Sequence, residues 1–424
     1  MQVRGLLIAV VALAVLSGLV YWSNKAEKAK EGQPDPGAAP RITDFESGQV
    51  ERIEIRQAGA ETIILEKNAA GEWRMTAPEE LRADSGQVDS LVSTVARLNS
   101  NRLVEDSVTA LADYGLDAPE TTVRLSLKDG ESVTLLIGAE TPTGGSYFAM
   151  REGDPRLFTI AGWNRTSIKK TPWDLRDKRL LAFDREKLTK IELAAKGQAV
   201  ELGRNAQGEW QIVSPRPMRA DGGAVDQLIG RLAEAQMAAE MEGDALAEAR
   251  RTFARGARVA VAKVTDDAGV HELEVRKADD YYASSSAVDG VYKITSSVGE
   301  GLDKGLEDLR NKKLFDFGWT EPSKIEVRDG DTEHAFEKSE AGWLKSGVKM
   351  DAVSVRGFID ELRDLAAIGF PDKGFTEPVF EVRVTAGAGD RTEKVLISKS
   401  GEEFFARREN EPQIYQIDSI DFDR

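Results

Sequence analysis

The sequence contains no cysteine and only two histidines among its 424 residues. Without thiols the chain has no disulfides, no thiolate metal ligands, no cysteine nucleophile and no lipid-modified cysteine behind a signal segment. His271 and His334 lie far apart, and neither has another histidine at ligand spacing. Zinc and iron sites usually draw on clustered histidine or cysteine, so the sequence argues against either.

Familiar catalytic motifs are missing as well. The sequence has no Gly-x-Ser-x-Gly elbow and no Gly-Lys-Ser/Thr phosphate loop, so energy for any transport step would come from another subunit. An acidic run approaches a calcium-loop template, but His334 stands where that loop needs glycine. With 73 acidic residues, paired carboxylates are uninformative. The sequence therefore predicts no catalytic, cofactor-binding or metal-binding residue. The acidic run is Asp329, Asp331, Glu333 and Glu340.

Negative charge is in excess. The chain has 57 basic and 73 acidic residues, a net charge of −16. Such a surface repels phosphate backbones and anionic lipid headgroups, which argues against nucleic acid as a partner. In a soluble body the same bias also favours solubility.

The one long apolar run lies near the N-terminus. Residues 6–22 carry no charge and end in Tyr21-Trp22, an aromatic pair typical of a membrane interface. As a helix this run would cover roughly 25 Å, close to a hydrocarbon core. We predict a transmembrane anchor over residues 1–24, with a cleavable signal peptide as the alternative. A Pro/Gly-rich tether follows over residues 25–44.

A strand-to-helix motif occurs three times. Each copy has Gly and Trp at the end of a hairpin, then an Asp, then apolar residues 4, 7, 8, 11 and 14 positions beyond that Asp. This spacing predicts the buried stripe of an amphipathic helix whose N-cap is the Asp. The Trp and Asp of the three copies are Trp73 and Asp84, Trp210 and Asp221, and Trp343 and Asp351.

The predicted fold is α+β, with three tandem repeats, each a small mostly antiparallel sheet with one amphipathic helix, plus the N-terminal transmembrane helix. The repeats are assigned to residues 45–184, 185–317 and 318–424, here repeat 1, repeat 2 and repeat 3. The turn Gly115 to Pro119 recurs in repeat 3 as Gly374 to Pro378. Repeat 2 has no Gly or Pro there, so this copy has diverged.

Each repeat also contains two aromatics followed by Ala, and another aromatic nine residues after that Ala. This spacing predicts two adjacent strands whose aromatics pair across them; a sugar-binding platform is the alternative. The sets are Tyr147-Phe148-Ala149 with Phe158, Tyr281-Tyr282-Ala283 with Tyr292, and Phe404-Phe405-Ala406 with Tyr415.

Two similar connectors end repeats 1 and 2, Leu175 to Lys178 and Leu309 to Lys312. Their charged side chains could dock a partner through charge-assisted hydrogen bonds or lock one repeat onto the next. The candidate contact residues are Arg176, Asp177, Lys178, Arg310 and Lys312.

Together these motifs resemble a known family. The anchor, the Trp and Arg-Ala-Asp helix, Tyr114 to Pro119, Ile137-Gly138 with Thr141-Pro142, and Leu175 to Lys178 are similar to those of the bacterial domain-of-unknown-function family 4340. The resemblance implies a membrane-anchored, externally facing protein, often encoded beside ABC-type transporters of the gliding-motility kind. It supplies no catalytic residues to carry over.

The expected function is therefore a non-enzymatic accessory or scaffold protein that works with subunits of a membrane transporter. We expect a single-pass protein of the cell inner membrane, attached through residues 6–22, with its body in the periplasm or otherwise outside the cytoplasm. A solute- or glycan-binding protein that uses the repeated aromatics is the alternative, and an unrecognised hydrolase comes third.

Overall fold

The residues that the structure describes form three antiparallel sheets with helices packed against them. A computed structural model describes residues 40–387 and 391–419. Within those ranges no helix is long and apolar enough to cross a membrane. The predicted anchor over residues 1–24 lies outside the described residues, as does most of the predicted tether.

Repeat 1 forms a nine-stranded sheet in the order β4-β3-β2-β1-β6-β7-β8-β9-β5. Its strands are β1 Val50–Gln57, β2 Ile63–Lys67, β3 Trp73–Ala77, β4 Leu81–Arg82, β5 Arg102–Glu105, β6 Thr121–Leu127, β7 Ser132–Glu140, β8 Ser146–Arg151 and β9 Leu157–Ala161. Its α-helices are α1 Ser85–Ala96, α2 Gly162–Ile168 and α3 Pro172–Leu175, and short 3-10 helices span Ser47–Gln49 and Leu111–Tyr114.

Repeat 2 forms an eight-stranded sheet in the order β13-β12-β11-β10-β14-β15-β16-β17. Its strands are β10 Lys190–Ala195, β11 Gln198–Arg204, β12 Trp210–Ser214, β13 Met218–Arg219, β14 Ala257–Asp266, β15 Gly269–Lys277, β16 Tyr281–Ser285 and β17 Val291–Lys293. Its helices are α4 Gly222–Ala233, α5 Gly243–Arg255, α6 Ser296–Leu302 and α7 Leu306–Leu309.

Repeat 3 repeats the eight-stranded order as β21-β20-β19-β18-β22-β23-β24-β25. Its strands are β18 Pro322–Asp329, β19 Thr332–Ser339, β20 Gly342–Lys345, β21 Val348–Lys349, β22 Pro378–Ala386, β23 Arg391–Ser400, β24 Glu403–Arg408 and β25 Ile414–Ile417, and its helix is α8 Ala352–Asp364.

Two details of the predicted fold were wrong. The sheets are not small, because each repeat brings eight or nine strands together. Repeats 1 and 2 also carry more than one helix: α2 and α3 follow the sheet in repeat 1, and α6 and α7 follow it in repeat 2. Repeat 2 inserts α5 where its sequence lacks the Gly-to-Pro turn, which explains why this copy diverges there.

The long helix of each repeat begins at the predicted Asp. The side chain of Asp84 accepts a hydrogen bond from the backbone N–H of Gln87 at 3.1 Å. Asp221 and Asp351 cap α4 and α8 in the same way, at 2.9 and 2.8 Å. Each cap pairs a backbone donor that would otherwise lack an intrahelical partner. The predicted apolar stripe of α1 packs on the sheet through Val88, Leu91, Val92 and Val95.

The repeated aromatics are mostly buried in the sheets, and the strand register does not place two aromatics of one set directly opposite each other. The last aromatic of each set lies directly opposite the Ala, as Phe158 does opposite Ala149. Tyr292 faces Ala283, and Tyr415 faces Ala406. The register therefore places an Ala, and not another aromatic of the set, directly opposite the last ring, and we attribute the Ala to the space that a large ring needs on the neighbouring strand.

A short extended segment leads into each repeat and packs beside its long helix. The backbone N–H of Leu180 donates to the carbonyl of Ala235 at 2.8 Å, and that of Leu314 donates to Leu365 at 3.0 Å. Ile42 makes the same bond to Leu98 at 2.9 Å. The apolar side chains of these segments are buried; those of repeat 3, Leu314, Phe315 and Phe317, belong to its core cluster.

The chain divides into two compact units, one ending at Lys178 and the other beginning at Arg179. The first contains the strands and helices of repeat 1. The second contains repeats 2 and 3, which contact each other directly.

Candidate functional site

A cleft of about 1000 Å³ lies between repeats 2 and 3 in the second compact unit. Its volume is at the upper end of the range of about 300–1,000 Å³ for small-molecule sites. Six basic and six acidic side chains line it, so their formal charges cancel and do not select for a strongly charged ligand. The lining includes Arg204, Trp210, Arg216, Arg219, Glu411 and Tyr415.

Arg219 lies at the centre of the contacts across this cleft. It ends β13, two residues before Asp221, the cap of α4, and only a fifth of its side chain is exposed. Its Nε lies 2.9 Å from Glu411 Oε1, as an ion pair rather than a well-aligned hydrogen bond. Its Nη2 donates to the hydroxyl of Tyr415 at 3.3 Å, and Nη1 lies 3.4 Å from Asp316. One guanidinium thus links the corner of repeat 2 to the last strands of repeat 3.

The protonation states at this cluster follow from burial and charge. Burial by itself works against the charge of Arg219, but Tyr415, Glu411 and Asp316 outweigh it and raise the pKa of Arg219. Burial raises the pKa of the Tyr415 phenol, which therefore stays protonated and donates its O–H to Glu411. Partial desolvation strengthens these interactions relative to a surface pair.

Trp210 differs from its two counterparts. Trp73 and Trp343 are buried in the cores of their sheets, whereas Trp210 is only half-buried and lines the cleft. The guanidinium of Arg204 stacks 4.3 Å from its ring centroid. The amide side chains of the cleft lining add planar hydrogen-bonding groups: Asn205, Gln211, Asn311, Asn410 and Gln413. Such a surface suits a polar ligand with apolar faces.

In repeat 1 the predicted connector residues contact other residues of the same repeat. The backbone N–H of Asp177 donates to the carbonyl of Arg82 at 2.9 Å, and the buried Asp177 carboxylate lies 3.8 Å from the Arg82 guanidinium. Arg176 forms a β-bridge with Ala83. The ammonium of Lys178 lies 5.0 Å from the ring of Trp173.

In repeat 2 the equivalent connector reaches repeat 3. The guanidinium of Arg310, nearly buried, lies 3.2 Å from the ring centroid of Phe370 and pairs with Glu307 at 2.9 Å. The carbonyl of Lys312 accepts from the backbone N–H of Ala367 at 2.8 Å. Asn311 of repeat 2 occupies the position of Asp177 in repeat 1. Arg219, the arginine at the corner of repeat 2, pairs with Asp316 and with Glu411 instead.

Sequence reasoning missed Arg219, Glu411 and Tyr415 as a group. The sequence did contain a signal. Arg82, Arg219 and Lys349 occupy the same position of the repeat, and the connector has Asp177 in repeat 1 but Asn311 in repeat 2. In the part of the chain that the structure describes, no group of three His, Asp or Glu side chains could hold a metal ion. The acidic run at Asp329 lies in the β18–β19 hairpin.

A family model described as "Domain of unknown function (DUF4340)" matches twice, over residues 73–211 and 210–379. The two matches begin at Trp73 and Trp210, the equivalent residues of repeats 1 and 2, so the family unit follows the internal repeat. No curated protein matches the chain. Because the matches cover residues 73–379, most of the sequence, the chain belongs to the DUF4340 family of uncharacterised domains.

Proposed function

We propose that this chain is a non-enzymatic accessory or scaffold protein that is held at the outer face of the cytoplasmic membrane and works with an ABC-type transporter. Burial of the repeated aromatics is the main support, because a glycan-binding stripe would need those rings exposed. The charged side chains at the centre of the cleft pair with one another between repeats. What remains for a partner is the outer surface of the sheets and helices.

Affinity capture tests the transporter association. The tagged full-length chain is extracted from its native membranes in mild detergent and purified. Recovery of the ATP-binding and membrane-spanning subunits of one transporter is the expected result. A preparation that contains the chain but no transporter subunit would contradict the proposal.

Membrane attachment has its own test. If residues 6–22 form an anchor, the full-length chain stays in the membrane fraction after washing in high salt, since salt screens charge but does not weaken apolar insertion. Deleting residues 1–24 should release the body into the soluble fraction. Release of the intact chain by salt would contradict the anchor.

The second candidate, an extracytoplasmic solute- or glycan-binding protein, is favoured by one observation: the half-buried Trp210 and the amides beside it line a cleft of about 1000 Å³. Tryptophan fluorescence during titration with soluble oligosaccharides tests it. Binding that is lost in Trp210→Ala and kept in Trp163→Ala, a change at an exposed tryptophan of repeat 1, would favour this candidate.

A further inference from the structure

The longest helix of repeat 2 is an insertion. α5 lies at the place in the sequence where repeats 1 and 3 have a Gly-to-Pro turn. Its inner side is apolar, since Ala249 is buried against Tyr282 and Val291 and Phe253 packs beside them. The outer side of α5 therefore gives repeat 2 a surface of its own.

Basic residues are concentrated at the C-terminal end of α5. Between Glu248 and Asp266 the sequence has five basic residues and no acidic one, although acidic residues are in excess over the whole chain. Four of the five are exposed arginines that lie within nine residues of one another. We call these four the arginine patch: Arg250, Arg251, Arg255 and Arg258.

One carboxylate on α5 pairs with two of these arginines. Glu248 accepts hydrogen bonds from Nε of Arg251 at 2.9 Å and from Nη2 at 2.6 Å, and it lies 3.7 Å from Arg255. More than half of each of these two arginine side chains is exposed, so their charge is only partly neutralised. Arg250 pairs with no carboxylate in the part of the chain that the structure describes.

The strands beside α5 add charges of both signs. Glu274 of β15 pairs with Arg258 at 3.2 Å and with Arg276 at 2.7 Å. Counting these neighbours, the surface carries seven basic and four acidic side chains, so it keeps a net positive charge. The basic residues are the arginine patch with Arg276, Lys277 and Lys293, and the acidic ones are Glu248, Glu274, Asp279 and Asp280.

Charge changes sign along α5. Glu240 and Glu242 precede the helix and Asp244 lies in its first turn, whereas the arginines lie at its C-terminal end, an order that the helix dipole favours. Arg258 lies beyond the helix, in β14, where that dipole no longer acts on it. Helix stability therefore explains part of the arginine patch but not its extension onto the sheet.

The outer side of α5 favours the carboxylates of a protein over a lipid surface. A helix that lies in a membrane interface presents large apolar side chains to the lipid, but the uncharged exposed residues of α5 beyond its first residue are small: Ala245, Ala247 and Ala254. Guanidinium groups bind carboxylates through paired hydrogen bonds. Arg251 and Arg255 are one helical turn apart, about 6 Å along the axis, which successive acidic residues of a peptide can span.

We propose that the arginine patch binds an acidic segment of a partner protein, whose carboxylates pair with Arg250, Arg251 and Arg255. The rest of the chain is acidic and repels such a segment, so attraction at the arginine patch alone fixes where the partner docks. The inference rests on the proposed scaffold function and specifies the chemistry by which a partner is recognised.

A fluorescein-labelled oligoglutamate peptide is the probe. Fluorescence anisotropy with the full-length chain, in a detergent without charge, should show binding at low salt that weakens steeply as salt is added. An uncharged peptide of Gly and Ser, of the same length, should not bind.

Substitutions in the protein locate the site. Arg250→Gln and Arg251→Gln should each weaken binding about two- to fourfold at low salt, as expected of exposed ion pairs. Arg185→Gln is the matched control, because it removes an exposed arginine next to Asp184, whose backbone N–H donates to Asp266 at the other end of β14. It should leave binding unchanged.

Glu248→Gln tests the proposal in the opposite direction. Without this carboxylate, Arg251 and Arg255 are free to pair with the peptide, so binding should strengthen about two- to fourfold. Unfolding of α5 would disperse the arginines and weaken binding, so a gain distinguishes the electrostatic effect from a loss of structure. Circular dichroism of each variant measures the helix content.

Several outcomes would overturn the proposal. Absence of binding by oligoglutamate would do so, as would an equal loss in Arg185→Gln or weaker binding in Glu248→Gln. Displacement of the peptide by phosphatidylglycerol mixed into the detergent micelles would assign the arginine patch to a membrane surface instead. Peptide binding to the purified chain is independent of any transporter, so its failure is distinguishable from failure of the capture experiment.

Discussion

Arg219 connects repeats 2 and 3 through Glu411, Tyr415 and Asp316. In Arg219→Ala the carboxylate of Glu411 keeps its ion pair with Arg408, at 2.8 Å, but loses its ion pair with Arg219. We expect the free energy of unfolding of the second compact unit to fall by about 1–3 kcal/mol. Urea denaturation followed by circular dichroism measures it.

Arg216→Ala is the matched control for that substitution. Arg216 also bridges the two repeats, through a hydrogen bond of 2.7 Å to Gln413, but its side chain is exposed. Its loss should change the unfolding free energy by less than about 0.5 kcal/mol. Equal effects of the two substitutions would contradict the role assigned to burial of Arg219.

The carboxyl group of Asp266 should make the stability of the fold depend on pH. Burial works to raise the pKa of this carboxyl, but hydrogen bonds from the backbone N–H groups of Asp184 and Ala268 and from His271 outweigh it and lower the pKa. A lowered pKa in the folded state stabilises the protein above the unfolded pKa of about 3.9, and this contribution is lost as pH falls further. Asp266→Asn should therefore be destabilised at pH 7.

The measurement is urea denaturation of both proteins between pH 3 and pH 7. The stability difference between wild type and Asp266→Asn should narrow as pH falls below about 4, because protonation removes the advantage of the carboxylate. Glu272→Gln, a change at a half-buried side chain of β15 that pairs with Lys263 at 3.0 Å, serves as the control for general charge effects. A difference that stays constant with pH would show that the carboxylate's charge is not responsible.

At the scale of elements, Gly138 explains part of the family motif in repeat 1. Gly115 ends a 3-10 helix with a φ of 64°, and its backbone crosses close to β7. A Cβ at position 138 would overlap the carbonyl oxygen of Tyr114 and come 2.9 Å from that of Gly115. The Tyr-Gly-Leu turn and the Ile-Gly pair are thus two sides of one backbone contact.

Gly138→Ala should destabilise the first compact unit by about 1–3 kcal/mol, since the turn or β7 must move. Gly357→Ala is the contrasting change, because a Cβ there meets nothing within 4 Å and the residue lies inside α8. It should stabilise repeat 3 by about 0.5–1 kcal/mol. Thermal unfolding measures both, and an Ala at position 138 without effect would contradict the close approach.

Patterns in the sequence predicted those elements that depend only on residues close together along the chain. The Asp caps, the apolar stripe of α1 and the strands that carry the aromatics follow from spacing along the sequence. The pairing of Phe158 with Ala149 was missed because register depends on the turn between the strands. The Arg219 cluster was missed because its partners come from another repeat, and periodicity within one repeat carries no information about them.

At the scale of the whole molecule, the three similar sheets are not three equivalent bodies. Repeats 2 and 3 share one compact unit, and Leu314, Phe315 and Phe317 precede the predicted start of repeat 3 but pack in its core. The predicted boundary placed these residues at the end of repeat 2, since they closely follow the connector Leu309 to Lys312. Only the packing shows to which sheet they belong.

This packing predicts which fragments fold. A fragment of residues 312–424 contains Leu314, Phe315 and Phe317, whereas one of residues 318–424 lacks all three, which are at most 3% exposed. Loss of three large buried side chains removes several kcal/mol, comparable to the whole stability of a small domain. We expect a cooperative thermal transition by circular dichroism for the longer fragment and none for the shorter, while residues 179–424 melt at a higher temperature than either. Equal melting of the two shorter fragments would mean that the segment before residue 318 is not part of this core.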